Sequence, residues 1–267
     1  MTAASKDLTE RIRTLLERLV QSRRLSNDDR EVIGDEIAAE ARELPREFIL
    51  DALDKAIGRN KRRREEAVYL LSEWTDVPAV VDRIGEWIND PDPQWRNWLI
   101  QTVAQDGLTQ FSPHLKDIIE HDPDEVVRDM AIYAAGKLRA VECLPALLRL
   151  ADQNDPTLTW RLATALKSYA TEDCRSRLRK WFDDSALEKS TRIFAAWGLG
   201  KLGDQDAIDY LIGMLDDPDE CGDTFFNPGE SIRAAQAVCD IRGWEFEWHA
   251  LTVEKTKNRV LIARNGA

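Results

Sequence analysis

Along most of this chain, apolar residues recur three and four positions apart, the spacing that lines one face of an α-helix. Residues 6–24 carry Leu8, Ile12, Leu15, Leu16 and Leu19 on one such face. Ser26-Asn27-Asp28-Asp29 reads as a helix start, and Val32, Ile33, Ile37 and Ala41 form the stripe of the helix it opens. Pro45 is expected to begin a third helix, with Phe48, Ile49, Leu53 and Ile57 on its apolar side. From Val77 the stripes become regular: Val80, Ile84 and Ile88; Leu115, Ile118 and Ile119; Leu144, Leu147 and Leu148; Leu178 and Phe182; Ile208, Leu211 and Leu215. Each stripe is followed by a second helix. Several of these carry small residues, such as Ala131, Ala134, Ala135 and Gly136, that let neighbouring helices approach closely. After Gly243 the pattern changes. Trp244, Phe246 and Trp248 alternate with Glu245 and Glu247, as in a short extended segment or an aromatic cap over the open end of a stack.

The second helices share a register. They align on Arg64, Arg96, Arg128, Arg161, Arg192 and Arg233, which lie 32, 32, 33, 31 and 41 residues apart. A period in the thirties is the mark of stacked helical hairpins. Pro91, Pro123, Pro156 and Pro218 each follow an aspartate, and Asp183-Asp184-Ser185 holds the remaining place. An acid before a proline suits a helix start, since the carboxylate accepts from first-turn amides and Pro fits the first helical position. Three of the acids lie six residues before an arginine: Asp90 before Arg96, Asp122 before Arg128 and Asp155 before Arg161. That spacing predicts a carboxylate–guanidinium ladder up the stack, to which the forked geometry of Arg is suited. The 41-residue step marks an insertion at residues 220–229, where Phe225 and Phe226 either anchor a contact or fold back on the last hairpin.

The Asp-Pro pair, the arginine six residues after the acid, and the small-residue runs Ala131–Leu138 and Ala195–Leu202 resemble the HEAT repeat family over residues 60–243. The resemblance implies an all-α fold, an α-α superhelix or solenoid of about five to six helical hairpins. Residues 1–58 are then expected to form an N-terminal helical cap or degenerate repeat, 59–243 the array, and 244–267 an aromatic C-terminal cap and tail. Proteins of this family mostly bind other proteins, and minorities bind nucleic acid or attach bilins.

The resemblance further implies that a row on the second helices lines the concave side. The row five after each arginine reads Tyr69, Gln101, Tyr133, Leu166, Trp197, Val238, and the row one after reads Glu65, Asn97, Asp129, Leu162, Ile193, Ala234. Together they predict a groove that is polar and acidic at one end and apolar at the other. Its candidate partner-binding residues are Glu65, Tyr69, Asn97, Gln101, Asp129, Tyr133 and Trp197, with Phe225 and Phe226 on the inserted loop; each aromatic could instead pack on neighbouring helices. Trp95 and Trp160, one before their arginines, are expected in the core.

Charge narrows the partners. The net charge of −12 argues against sequence-independent nucleic-acid binding and favours a basic or neutral protein partner. A sharper version is an immunity or inhibitor-type protein that neutralises a basic protein such as a nuclease. The two basic stretches, residues 58–64 and Arg175, Arg177, Arg179 and Lys180, read as solvated surface, the first with some capacity for phosphate or an acidic partner. Four cysteines without a CxxC pair and three scattered histidines predict no metal site, and no cofactor is expected. Cys143 and Cys239 sit among apolar residues, as buried thiols do in a reducing compartment. Without a signal peptide or an apolar run long enough to span a bilayer, the expected location is the cytoplasm. No catalytic motif is evident. The enzymatic alternatives are a DNA alkylation repair glycosylase, with Asp129 and Trp197 in its groove, and a bilin lyase-like protein.

Overall fold

The computed structural model of the chain describes residues 3–216, 229–246 and 252–265. Among these residues there are fifteen α-helices and no strand. They fall into two compact units, Met1–Phe111 and Ser112–Ala267.

The first unit contains α1 (Ala3–Ser22), α2 (Asn27–Arg42), α3 (Ile49–Ile57), α4 (Lys61–Ser72), α5 (Pro78–Trp87) and α6 (Pro93–Gln105). Helix α1 packs against α2, α3 and α4, while α4 packs on α6. The expected stripes are its core: Ile12, Leu16, Ile37, Leu53 and Ile84 are all buried. Ser26 caps α2 by accepting from the Asp29 amide (3.2 Å), as its sequence suggests. Trp74 is fully buried, and its indole N–H donates to the Ala41 carbonyl at the end of α2 (2.9 Å). The third helix begins later than the apolar pattern suggests. Phe48 precedes it with a left-handed backbone (φ 63°) and is 60% exposed rather than part of the stripe. The boundary expected at residue 58 falls in the turn joining α3 to α4, two helices that pack together.

The second unit contains four helix pairs: α7 (Ser112–His121) with α8 (Glu125–Leu138), α9 (Leu144–Asp152) with α10 (Pro156–Tyr169), α11 (Arg175–Asp183) with α12 (Lys189–Lys201), and α13 (Gln205–Gly213) with α14 (Glu230–Arg242). Successive second helices pack directly on one another, α8 on α10, α10 on α12 and α12 on α14. Small residues permit this. A Cβ on Gly136 would lie 2.6 Å from the Ala165 Cα, and one on Gly198 would lie 3.0 Å from the Lys167 Cα. Beyond α14 the chain runs irregularly through Trp244–Phe246, and the Trp244 amide donates to the Cys239 carbonyl (2.8 Å). A further helix, α15 (Thr252–Asn265), then packs on α14, so the expected tail is largely helical.

The predicted ladder differs in its atoms. Arg96 donates to the main-chain carbonyl of Asp90 (2.8 Å), and Arg128 does the same to Asp122 (2.7 Å). The Asp90 and Asp122 carboxylates instead accept from amides two residues on, those of Asp92 and Asp124 (both 2.9 Å). The helix caps therefore shift to Asp92 and Asp124, two residues past the expected acids, whereas Asp155 caps α10 directly with Pro156 at the first position. Arg161 pairs with Asp129 of the preceding repeat (3.4 Å) rather than with Asp155. Arg64 pairs with the Asp90 carboxylate of the following one. Each guanidinium thus braces the turn that enters its own helix or reaches an adjacent repeat, and carbonyls left free at a helix end gain a donor.

Candidate functional site

The sequence-predicted residues divide between the two units, and each unit treats them differently.

In the first unit, Glu65, Tyr69 and Gln101 line one groove of about 560 Å³. Its walls come from the end of α1 (Arg23), from α2 (Arg30, Arg42), from α4 (Glu66, Ser72, Glu73) and from α6 (Trp98, Thr102, Gln105). The groove exists because α4 turns Glu65 and Tyr69 toward it and α6 turns Gln101, while Leu70, Leu71, Leu99 and Ile100 turn in. Tyr69 is 37% exposed, and its hydroxyl donates to the Gly34 carbonyl (2.9 Å), which fixes the ring against α2. Burial raises the Tyr69 pKa above its ordinary value, with Glu73 and Asp35 adding to the effect. Arg23 donates to both Glu65 (2.8 Å) and the buried Glu66, and Arg42 to Glu73 (2.7 Å). The groove wall is therefore densely charged and largely neutralised from within. Asn97 lies outside the lining; its Oδ1 is buried without a hydrogen-bond partner among the described residues.

Of the fourteen residues that line the groove, only Glu65, Tyr69 and Gln101 lie in the predicted rows. Glu66 and Trp98, which also line it, occupy the row two after the arginine. Elsewhere that row reads Met130, Ala163, Phe194 and Ala235, so a Glu and a half-buried Trp break its apolar character. That break was the available signal.

In the second unit the predicted row is mostly covered. Leu162, Leu166, Ile193, Ala234 and Val238 are buried, so the apolar end of the expected groove is core. The reason is α12, which α10, α11, α13 and α14 surround and which is buried from Phe194 to Gly200. Trp197 is only 6% exposed; its indole N–H donates to Asp240 Oδ2 (2.7 Å) and its ring lies under the Lys167 ammonium. It packs against its neighbours and is not an open anchor. Asp129 is engaged by Arg161 (3.4 Å), so the free carboxylate and open aromatic that the glycosylase alternative needs are not offered by this pair. Tyr133 remains 36% exposed. Phe225 and Phe226 lie outside the described residues. Trp95 is buried as expected. Trp160 is not: it lies half-buried between the Arg161 guanidinium (4.5 Å to the ring centroid) and Phe194 (6.1 Å).

The fold absorbs most of the second basic stretch and the last two arginines of the first, whose Arg59, Lys61 and Arg62 lie exposed. Arg63 pairs with Glu17, and Arg64 with Asp90. Arg175 pairs with Glu172, Arg177 with Asp152 and Arg179 with Asp204, while Lys180 bonds Asn154. Hydrogen bonds from Arg177 hold the Asp152 carboxyl below its usual range. Cys143 is buried, and burial pushes its thiol pKa up to about 12, which keeps it protonated and unreactive. Among the described residues no group of three or more His, Cys, Asp or Glu is placed to hold a metal ion, and no helix is long and apolar enough to cross a membrane.

A family model described as HEAT repeats matches residues 47–136, 112–187 and 144–221, which together span 47–221 of the 267-residue chain. No curated protein matches the chain.

Proposed function

The chain belongs to the HEAT repeat family, and from that membership we propose that it is a non-enzymatic scaffold that binds a protein partner. The observation that carries this reading is the first-unit groove, where Tyr69, Trp98 and Gln101 lie beside charged walls in a cleft wide enough for partner side chains. Aromatic rings held at a fixed angle are efficient anchors because they bury large areas while losing little rotamer freedom. Tyr69 is held in that way by its bond to Gly34.

The whole-chain charge of −12 supports a basic partner, attracted at long range and seated by local contacts. An inhibitor-type role against a basic protein is the sharpest form of this reading. The test begins with affinity purification of the full chain from its own cells. Binding of the recovered protein is then measured against the Tyr69→Ala/Trp98→Ala variant at two ionic strengths. The reading expects at least a tenfold loss in the variant, from removing two interface anchors, and weaker wild-type binding at the higher salt. A partner indifferent to both substitutions removes the groove from the proposal. A partner indifferent to salt removes its basic character.

A further inference from the structure

Outside both basic stretches, a half-buried cation is left without an acid among the described residues. Lys167 is in the last turn of α10, six after Arg161. The other helices carry Leu70, Thr102, Ala134, Gly198 and Cys239 at that position, so a lysine stands in an apolar or small row. The close approach of α10 to Gly198 of α12 fixes where its side chain can go. The ammonium lies 3.8 Å from the Trp197 ring centroid and 5.5 Å from that of Phe194. Among the described residues it has no oxygen partner. The nearby carboxylate, Asp240, is already engaged: it accepts from Trp197 Nε1 (2.7 Å) and Lys201 Nζ (3.0 Å). Hydrogen bonds from Lys201 and Trp197 hold the Asp240 pKa low against the opposing effect of its burial. Arg139, which follows α8, also has no carboxylate partner among the described residues.

A last-turn lysine is favoured by the helix dipole, and the ring faces attract it. Neither supplies an oxygen acceptor, and an ammonium withdrawn from water without one is costly. Burial, then Lys201, then Arg139 lower the Lys167 pKa to about 8, with Asp240 opposing them. The like charges of Lys201 and Arg139 are influences that an arriving anion would offset.

We propose that Lys167, floored by Trp197 and flanked by Lys201 and Arg139, is a receptor for a carboxylate side chain on an acidic segment of a protein partner. The site gathers three cations around one carboxylate, a local excess that a single carboxylate can meet. The site lies wholly within the second unit and does not depend on the groove of the first.

The test uses the full chain and a fluorescein-labelled pentaglutamate peptide, followed by fluorescence anisotropy at low ionic strength. Wild type is expected to bind it. Lys167→Met keeps the stem over Trp197 but removes the charge, and it should weaken binding about tenfold or more with no fall in melting temperature. Arg139→Met, at an exposed position, should weaken it as well, so the result does not hang on one variant. Absence of wild-type binding overturns the proposal. So does Lys167→Met binding as tightly as wild type, whatever its melting temperature, since the lysine would then serve packing alone. A labelled single-stranded oligonucleotide of equal length that binds more tightly, with the same dependence on Lys167, overturns it in favour of nucleic acid. A wild-type dimer in sedimentation that Lys167→Met abolishes makes a second copy of this chain the occupant and overturns it too.

Discussion

The groove of the first unit and the Lys167 cluster of the second use similar residue types to opposite ends. In the groove, Arg23 lies against Glu65 and Glu66 and Arg42 against Glu73, so cations and carboxylates satisfy one another across α1, α2 and α4. In the cluster, Lys201 takes Asp240 and Lys167 is left with ring faces. A formal charge on a repeat surface is therefore open to a partner only where the neighbouring helix does not claim it. The second basic stretch makes the same point: Arg175, Arg177 and Arg179 look exposed in the sequence and are each paired in the fold.

The largest test of this contrast concerns two of the buried tryptophans, Trp74 and Trp197. Trp74→Ala and Trp197→Ala should each cost about 3–5 kcal/mol in urea unfolding, because each empties a packed site, and the first also frees the buried Ala41 carbonyl. A Trp197→Ala change within about 0.5 kcal/mol would mean that Trp197 is surface after all, and the second unit would regain an open anchor. Next in size is Arg23→Met. It leaves the buried Glu66 carboxylate without its partner and should cost about 1–3 kcal/mol; the Glu66→Met background should remove much of that loss in a double-mutant cycle. No coupling would place the groove charges on the same footing as the unclaimed ones.

Lys167→Met should reverse the sign. Below about pH 8 Lys167 is protonated in both folded and unfolded chains, and the burial of its charge is felt in full. As pH rises through 8 the folded protein releases that proton while the unfolded chain keeps it up to its ordinary value of 10.5. The unfolded state then binds more protons, so wild-type stability should rise from this source between about pH 8 and 10, a rise that Lys167→Met lacks. Lys201, Arg139 and Asp240 are the other charges facing this group, and parallel pH profiles of the two proteins would refute the unpaired lysine. The smallest effect belongs to Tyr133→Ala, which should change stability by no more than about 0.5 kcal/mol, since the ring is open to solvent.

Much of the fold could be read from particular residues. The Arg64–Arg233 register located the second helices, and the Val80, Leu115 and Leu178 stripes located the core side of the first ones. Ser26 marked a helix start correctly because an Asx or Ser cap is a local device. The acids before Pro91 and Pro123 misplaced theirs by two residues, since Asp90 and Asp122 close a turn of their own and the true caps lie at Asp92 and Asp124. The candidate site was legible in part. Glu65, Tyr69 and Gln101 do line one groove, yet the same positions on α10, α12 and α14 are buried, because α12 has neighbours on every side.

The amino-acid sequence by itself determined the helical period, the pairing of an apolar-striped helix with a small-residue one, and the strong net negative charge. All three are properties of near neighbours along the chain, or of simple counting. Only tertiary packing decided which carboxylate each arginine meets, that Trp197 turns inward to Asp240, and that Lys167 is left with aromatic faces. Those outcomes depend on which helices approach closest, and that distance is set by contacts between repeats about thirty residues apart, where the pattern within any one helix carries no information.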